Sequence, residues 1–151
     1  MGSPAWMDPN RITDITIHCT ATPEGRDNSA AEVTRWDVER FGQASYHYVI
    51  ELDGDVVPTL RHDQKGAHVG NRNTGNLGIS YVGGTATLNA GGAPKDTRTA
   101  AQKEAMARLV KDLRRQFPRA RIRGHRDWPG VAKACPSFDV AKWLASIGLA
   151  A

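Results

Sequence analysis

Apolar and polar residues alternate along the first regular stretch of the chain, which contains Asp14, Ile15, Thr16, Ile17, His18, Cys19 and Thr20. A period of two is typical of a β-strand whose two faces have different surroundings. The predicted strand turns its isoleucines and Cys19 towards the core. Because His18 lies on the opposite face, we do not expect His18 and Cys19 to bind one metal ion together.

Two later stretches have the spacing and the capping residues of α-helices. The first opens with the capping box SAAE at positions 29–32 and ends near Gly42. The second opens with the box TAAQ at positions 99–102 and ends before Pro118. Its apolar residues recur at helical spacing and are expected in the core: Met106, Leu109, Val110, Leu113 and Phe117.

The remaining regular segments predict short strands and one more helix. YHYVIELDGDVV consists of two apolar runs around an Asp53-Gly54 turn, the pattern of a β-hairpin. Residues 76–82 and 120–124 are predicted strands, and a last helix is expected from about Ser137 to Ile147. Together these elements predict an α/β fold, with a mixed central β-sheet covered by about three α-helices in a single domain.

Length and composition agree with one globular domain of 151 residues, 40% hydrophobic and 24% charged. We interpret residues 1–6 as an added remnant or a disordered start and residues 7–151 as the domain. The glycine-rich stretch 83–97 is expected to be a mobile loop. No apolar run approaches the ~18 residues of a membrane span, and the start does not resemble a signal peptide, so we expect synthesis in the cytoplasm.

The whole chain has a net charge of +4. Its basic residues are concentrated in one part, between Arg98 and Arg126. The basic residues there are Arg98, Lys103, Arg108, Lys111, Arg114, Arg115, Arg119, Arg121, Arg123 and Arg126. A face of this kind favours an anionic envelope polymer, a membrane surface or nucleic acid, and a solvated helix face is an equally good interpretation. Nucleic acid is not expected, because no aromatic residues interleave with the arginines.

A histidine and a cysteine flank an irregular loop near the end of the chain. His125 follows a predicted strand, and Cys135 lies ten residues later in the same loop. If this strand neighbours the one that carries His18, the three side chains converge at one edge of the sheet. Two imidazoles and a thiolate suit zinc, and three protein ligands leave a fourth position for water.

Four motifs occur in the order ITIHCTAT, SYHYVIELDG, GAHVGNRNTGNLGISYVGG and GHRDWPGVAKACPSFD. Together they resemble the zinc-dependent N-acetylmuramoyl-L-alanine amidases of the phage-lysozyme type, relatives of the peptidoglycan recognition proteins. The resemblance covers the chain from about Ile12 to Trp143. It implies cleavage of the amide between N-acetylmuramic acid and the L-alanine of the peptidoglycan stem peptide.

The resemblance also implies a role for six residues. His18, His125 and Cys135 match the family's zinc ligands. Tyr46 and Lys133 match positions used in catalysis. Some relatives have a glutamate in place of Tyr46, and this chain follows the tyrosine version. His68 resembles a residue that lines the substrate groove.

Several biological roles are compatible with these residues. A monomeric phage endolysin that acts on the bacterial cell wall at host lysis is the expected one, and a cytoplasmic wall-recycling amidase is an alternative. A module that binds peptidoglycan without cutting it is a third reading, which the presence of Cys135 disfavours, because members that only bind cell wall typically lack this ligand.

Overall fold

Five strands form the central sheet of the computed structural model, which describes residues 4–86 and 92–151. The strands are β1 (Asp14–Cys19), β2 (Thr22–Pro23), β3 (Tyr48–Ile50), β4 (Val56–Pro58), β5 (Asn76–Tyr81), β6 (Gly84–Thr85) and β7 (Arg121–Gly124). β2 and β6 form a separate parallel pair. The helices are α1 (Ala30–Phe41), α2 (Ala100–Gln116) and α3 (Val140–Ser146), with short 3-10 turns at Pro9–Arg11 and His125–Asp127.

The strand order of the central sheet is β4-β3-β5-β1-β7, and every neighbouring pair is parallel except β3 with β4. The antiparallel pair is the hairpin predicted around Asp53-Gly54. Since parallel strands end at the same edge of a sheet, the carboxyl ends of β1, β5 and β7 lie together. β1 and β7 are hydrogen-bonded neighbours, which is the condition on which the expected convergence of His18 and His125 depends.

One face of the sheet packs against α2 and α3 and forms the main core. The isoleucines of β1 and Cys19 are buried there, as their alternation predicts. The apolar residues predicted for the core of α2 all pack against this face, three of them buried and two partly buried: Met106, Val110 and Leu113, then Leu109 and Phe117. The predicted α/β architecture is confirmed.

The opposite face of the sheet carries the polar residues of β1, including Thr16 and His18, which are nevertheless buried. α1 covers part of this face by packing Ala30 and Val33 against Val49. The histidine of β1 therefore lies between the sheet and the elements above it, rather than in the apolar core.

Local chemistry explains where the two long helices begin. The side chains of Ser29 and Thr99 each accept a hydrogen bond from the backbone amide three residues later. The side chains of Glu32 and Gln102 accept a hydrogen bond from the backbone amide of Ser29 and Thr99, so both capping boxes are present. α1 ends at Gly42, whose φ of 79° is readily adopted only by a residue without a side chain.

The last helix is shorter than the sequence predicts. It begins at Val140 instead of Ser137, because Ser137 has a φ of 71°, which a right-handed helix cannot contain. Asp139 is the N-cap residue, and its carboxylate accepts a hydrogen bond from the Lys142 amide.

Two predicted segments lie partly outside the described residues. Residues 1–3 of the predicted start and residues 87–91 of the predicted mobile loop belong to the gaps. In the described part of the loop, the Lys95 amide donates to the Gly84 carbonyl at 3.0 Å. Within the described ranges, we find no helix long and apolar enough to span a membrane.

Candidate metal centre

Three side chains predicted as metal ligands converge at the carboxyl edge of the sheet. His18 lies near the end of β1, His125 follows β7 directly, and Cys135 lies in the loop after it. One ligand atom from each lies within 4.8 Å of the other two. The Nδ1 atom of His18 is 3.8 Å from the Cys135 sulfur, and the rings of His18 and His125 are 4.6 Å apart between centroids.

Backbone contacts return the loop to the sheet so that Cys135 reaches the two histidines. The Arg126 amide donates to the Cys135 carbonyl at 2.9 Å, and the Cys19 amide donates to the Cys135 sulfur at 3.2 Å. Gly124 is required at the end of β7, since a Cβ there would lie 2.8 Å from Pro136. The loop therefore packs closely over the strand that delivers His125.

The donor set fits zinc, and so does the separation of two of the ligand atoms. At ordinary Zn–N and Zn–S bond lengths, tetrahedral ligand atoms lie about 3.3 to 3.7 Å apart. The 3.8 Å separation between His18 and Cys135 is close to this value. Two nitrogen donors and one sulfur donor are also the mixture that zinc accepts in proteins.

Electrostatics keep the two imidazoles in the form that binds metal. Burial, followed by the neighbouring His68 and His125 rings, lowers the pKa of His18 well below its usual value. Burial and the Lys133 ammonium lower the pKa of His125. The contact with the Cys19 thiol, together with burial, raises the pKa of the Cys135 thiol, an effect that a coordinated dication reverses.

Tyr46 and Lys133 line the same groove as the three ligand residues. The Tyr46 ring centroid is 5.2 Å from that of His18, and burial is the main cause that raises the pKa of its phenol. Tyr46 therefore remains protonated and can donate a hydrogen bond into the groove. Lys133 is exposed at the groove, where its ammonium group is free to reach a ligand.

His68 also lines this groove, but it is 93% buried and its two ring nitrogens face protein atoms, His18 on one side and the carbonyl of Asn76 on the other. Burial lowers the pKa of His68 to about 3. The interpretation of His68 as a substrate-binding residue stays a prediction.

One wall of the groove was missed by the sequence analysis. The groove has a volume of about 310 Å³, and the second half of α1 contributes Trp36, Asp37, Arg40 and Phe41. Trp36 and Phe41 are large apolar residues that remain 37% and 50% exposed. Burial raises the pKa of Asp37 to about 6. Their sequence positions give no signal of this, since Trp36 and Phe41 fall at helical spacing from Val33 and Ala30.

The basic stretch is less uniformly exposed than its sequence implies. Arg98 is buried, with its guanidinium 3.4 Å above the Phe138 ring, so it does not belong to a solvent-facing surface. Several basic side chains are paired with carboxylates: Arg98–Asp96, Arg108–Glu104, Arg115–Asp112 and Arg123–Asp14. Lys111, Arg119 and Arg121 remain exposed. Binding of an anionic envelope polymer or membrane surface by this face stays a prediction.

Comparison with known proteins gives a consistent picture. A family model described as N-acetylmuramoyl-L-alanine amidase matches residues 8–138. The endolysin of Enterobacteria phage K11 is 34% identical over 129 residues, which cover 85% of this chain and 82% of that protein. The endolysin of Klebsiella phage KP32 is 34% identical over 132 residues, which cover 87% and 84%.

Solved structures of low sequence identity share the fold. The N-acetylmuramoyl-L-alanine amidase LysC from Clostridium intestinale URNW superposes with a TM-score of 0.75 at 19% identity, covering 99% of this chain and 94% of that one. The Ph2119 endolysin from Thermus scotoductus MAT2119 bacteriophage Ph2119 gives a TM-score of 0.71 at 22% identity, covering 99% and 88%.

Proposed function

The chain belongs to the N-acetylmuramoyl-L-alanine amidase family, and we propose that it is a peptidoglycan hydrolase that cuts the amide between N-acetylmuramic acid and the L-alanine of the stem peptide. We further propose that the activity depends on zinc held by His18, His125 and Cys135. The observation that carries this proposal is the convergence of three ligand atoms within 4.8 Å of one another, on side chains that line one groove.

Zinc held by these three side chains would have a fourth coordination position for water or substrate. Bound zinc supplies a Lewis acid that polarises the amide carbonyl and lowers the pKa of a water molecule to about 7. One thiolate and two neutral imidazoles reduce the charge of the site to about +1. A further cation near the carbonyl is therefore useful when negative charge develops on its oxygen.

We assign that cation to Lys133. Its ammonium group donates a hydrogen bond to the carbonyl oxygen, which carries increasing negative charge as water attacks the amide. Lys133 is exposed and lines the same groove as His125 and Cys135, which supports this role, since that groove must admit the substrate. Its effect is largest when the bound substrate displaces water from the groove.

We assign hydrogen bonding, rather than proton abstraction, to Tyr46. A phenol with a raised pKa is a poor base at neutral pH. Its hydroxyl can instead donate to the attacking water or to the amine that leaves with the stem peptide. Its position beside the His18 ring supports contact with groups at the reacting centre.

The biological role we propose is that of a phage endolysin acting on the bacterial cell wall. The two relatives reported above are endolysins of phages, and the chain spans more than four fifths of the length of each. A wall-recycling amidase and a module that binds peptidoglycan without cutting it are the alternatives. Retention of all three proposed ligands favours catalysis over binding alone.

Mass spectrometry of digested peptidoglycan tests the reaction. Purified wall is incubated with the zinc-loaded protein, and the products are compared with those of a Lys133→Ala protein and a blank. We expect stem peptides with new free L-alanine amino termini and intact glycan strands. Intact wall with the protein bound to it would identify a recognition module, and cut glycan would identify a different hydrolase.

A further inference from the structure

A buried histidine that is not one of the proposed zinc ligands contacts one of them directly. The Nδ1 atom of His68 lies 2.9 Å from the Nε2 atom of His18, with the two ring planes at 82°. Both side chains are buried, and this contact lies on the side of the His18 ring away from Cys135, which faces Nδ1 at 3.8 Å.

The second nitrogen of His68 determines which way the hydrogen bond runs. Nε2 of His68 lies 3.0 Å from the main-chain carbonyl of Asn76, and a carbonyl can only accept. Nε2 of His68 therefore carries the hydrogen, and in the neutral ring Nδ1 is left as an acceptor. His18 must then donate from its own Nε2.

The tautomer of His18 follows from this chain of bonds. When Nε2 of His18 carries the hydrogen, its Nδ1 has a free lone pair, and Nδ1 is the atom that faces Cys135. Metal-binding histidines generally donate their other N–H to such a partner, which fixes both tautomer and ring orientation. Here the partner is a second histidine rather than a carboxylate.

His68 is itself held in place by its surroundings. A Cβ on Gly78 would lie 2.9 Å from the His68 ring, and a Cβ on Gly66 would lie 2.9 Å from it at another ring atom. The His68 amide also donates to the Asn73 side chain at 2.9 Å. Two glycines therefore form a close-fitting cradle in which the ring can be placed and in which it has little freedom to turn.

The carbonyl acceptor belongs to a residue that is also fixed. The Asn76 side chain accepts from the Thr16 hydroxyl at 2.8 Å and donates to the Arg72 carbonyl at 2.8 Å. The Trp128 indole donates to the same hydroxyl at 3.0 Å. The hydrogen-bonded series thus joins β5 and β1 to the loop that carries His125.

We propose that His68 is a positioning residue, whose hydrogen bond holds the His18 ring in the orientation and tautomer needed to bind zinc through Nδ1. The inference rests on the zinc site proposed above. It gives His68 a role other than substrate binding, because a ring whose two nitrogens contact protein atoms offers neither to a substrate.

Zinc affinity of matched variants tests the role. His68→Leu fills the cradle but removes the acceptor, whereas His68→Asn keeps an acceptor oxygen near the position of Nδ1. We expect zinc to bind His68→Leu about 10- to 100-fold more weakly than wild type in competition with a chromophoric chelator. His68→Asn should recover most of the affinity.

A substitution of His47 provides the control that separates general destabilisation of the fold from loss of the hydrogen bond to His18. It is fully buried, its ring lies 6.1 Å from that of His68 between centroids, and its two nitrogens contact the main chain of Gln64 and Gly78. His47→Leu should destabilise the protein yet bind zinc with wild-type affinity. Absorption spectra of the cobalt-loaded proteins report the ligand set, and the His68→Leu spectrum alone should change.

Each result decides between the explanations. Unchanged zinc affinity and cobalt spectrum in His68→Leu, or an equal loss in His47→Leu, would overturn the positioning role. If His68→Leu does not fold, the comparison moves to His68→Asn and His68→Gln, and equal affinities there would overturn it. Wild-type protein that does not bind zinc would overturn the proposed metal site itself.

Discussion

At the scale of single residues, Lys133 is the side chain whose proposed role is most separable from metal binding. It is exposed, it lines the groove, and it is not one of the three proposed ligands. Lys133→Ala should lower kcat about 100- to 1000-fold, as loss of a hydrogen-bond donor to a developing oxyanion does. Zinc content and KM should change little.

The matched control is Lys142→Ala, which removes an exposed lysine on α3, outside the groove. Steady-state hydrolysis of soluble wall fragments gives kcat and KM, and metal analysis of the same samples gives the zinc content. Loss of zinc in Lys133→Ala, or a change confined to KM, would show that Lys133 acts in metal binding or substrate binding instead.

At the scale of secondary-structure elements, His47 links the start of β3 to β5 and makes folding depend on pH. Burial lowers its pKa to about 4, whereas an exposed histidine titrates near 6.5. Above about pH 6.5 both folded and unfolded chains are neutral at this position, and the contribution is fully present. As the pH falls towards 4 the unfolded chain takes up a proton first, so stability is lost.

The loss due to His47 should reach about 2 to 3 kcal/mol at pH 4.5. Urea unfolding of the zinc-free protein at pH 7.5 and pH 4.5 measures it, with His47→Gln as the variant that cannot titrate. The stability advantage of wild type over His47→Gln should shrink by this amount at the lower pH. An advantage that is constant or grows on acidification would contradict the assignment.

α1 is the element that shapes the groove opposite Lys133. Trp36 lies on its groove side and stays partly exposed, as expected for a residue that packs on a ligand rather than in the core. Trp36→Ala should raise KM about 2- to 10-fold with kcat unchanged, because an aromatic contact contributes about 0.5 to 1.5 kcal/mol. Trp6→Ala, at a tryptophan that is 71% exposed, is the control.

Steady-state kinetics on soluble wall fragments give KM and kcat separately for the Trp36 variant. Equal changes of KM in the Trp36 and Trp6 variants would show a general effect of losing an exposed aromatic residue. A fall in kcat alone would place Trp36 at the reacting centre.

The same elements show how far sequence reasoning reaches. The alternation in β1 and the two capping boxes predict a strand and two helices at nearly their observed bounds, because these signals are local. The start of α3 is wrong by three residues, since the backbone at Ser137 is determined by how the preceding loop packs. The contact between His18 and His68 joins residues 50 positions apart, and its geometry depends on packing across β1 and β5.

The position of Trp36 in the groove could not be predicted from the sequence. A tryptophan in an amphipathic helix is ordinarily a core residue, and nothing in the local pattern distinguishes one that faces a groove. The three ligands could be proposed from the sequence, because His18 and His125 lie at the ends of predicted strands and the four motifs include Cys135. The pairing of the basic residues with carboxylates could not be predicted from the sequence, because it depends on the rotamers of long side chains.

At the scale of the whole molecule, the exposed part of the basic face should affect how the protein reaches its substrate. Lys111→Glu/Arg119→Glu should leave the rate on purified wall unchanged and lower it on whole cells with an anionic envelope, more strongly at low salt. Arg26→Glu/Arg61→Glu makes the same change in net charge elsewhere on the surface. Lysis of cells and hydrolysis of wall are measured in parallel.

The control decides whether position or net charge matters for reaching the cell. Equal losses by the two double variants on cells would indicate an effect of net charge alone. Equal losses on cells and on purified wall would place Lys111 and Arg119 in the reaction rather than in recruitment to the envelope.

The most direct test of the account as a whole is a zinc titration of the chelated protein with amidase activity as the readout. Activity of the wild type should be absent without metal and should rise in proportion to added zinc until one ion is bound per chain. Cys135→Ser should show at least a 100-fold lower plateau, while Cys19→Ala should resemble wild type. Full activity in the metal-free protein, or in Cys135→Ser, would contradict the proposed zinc amidase.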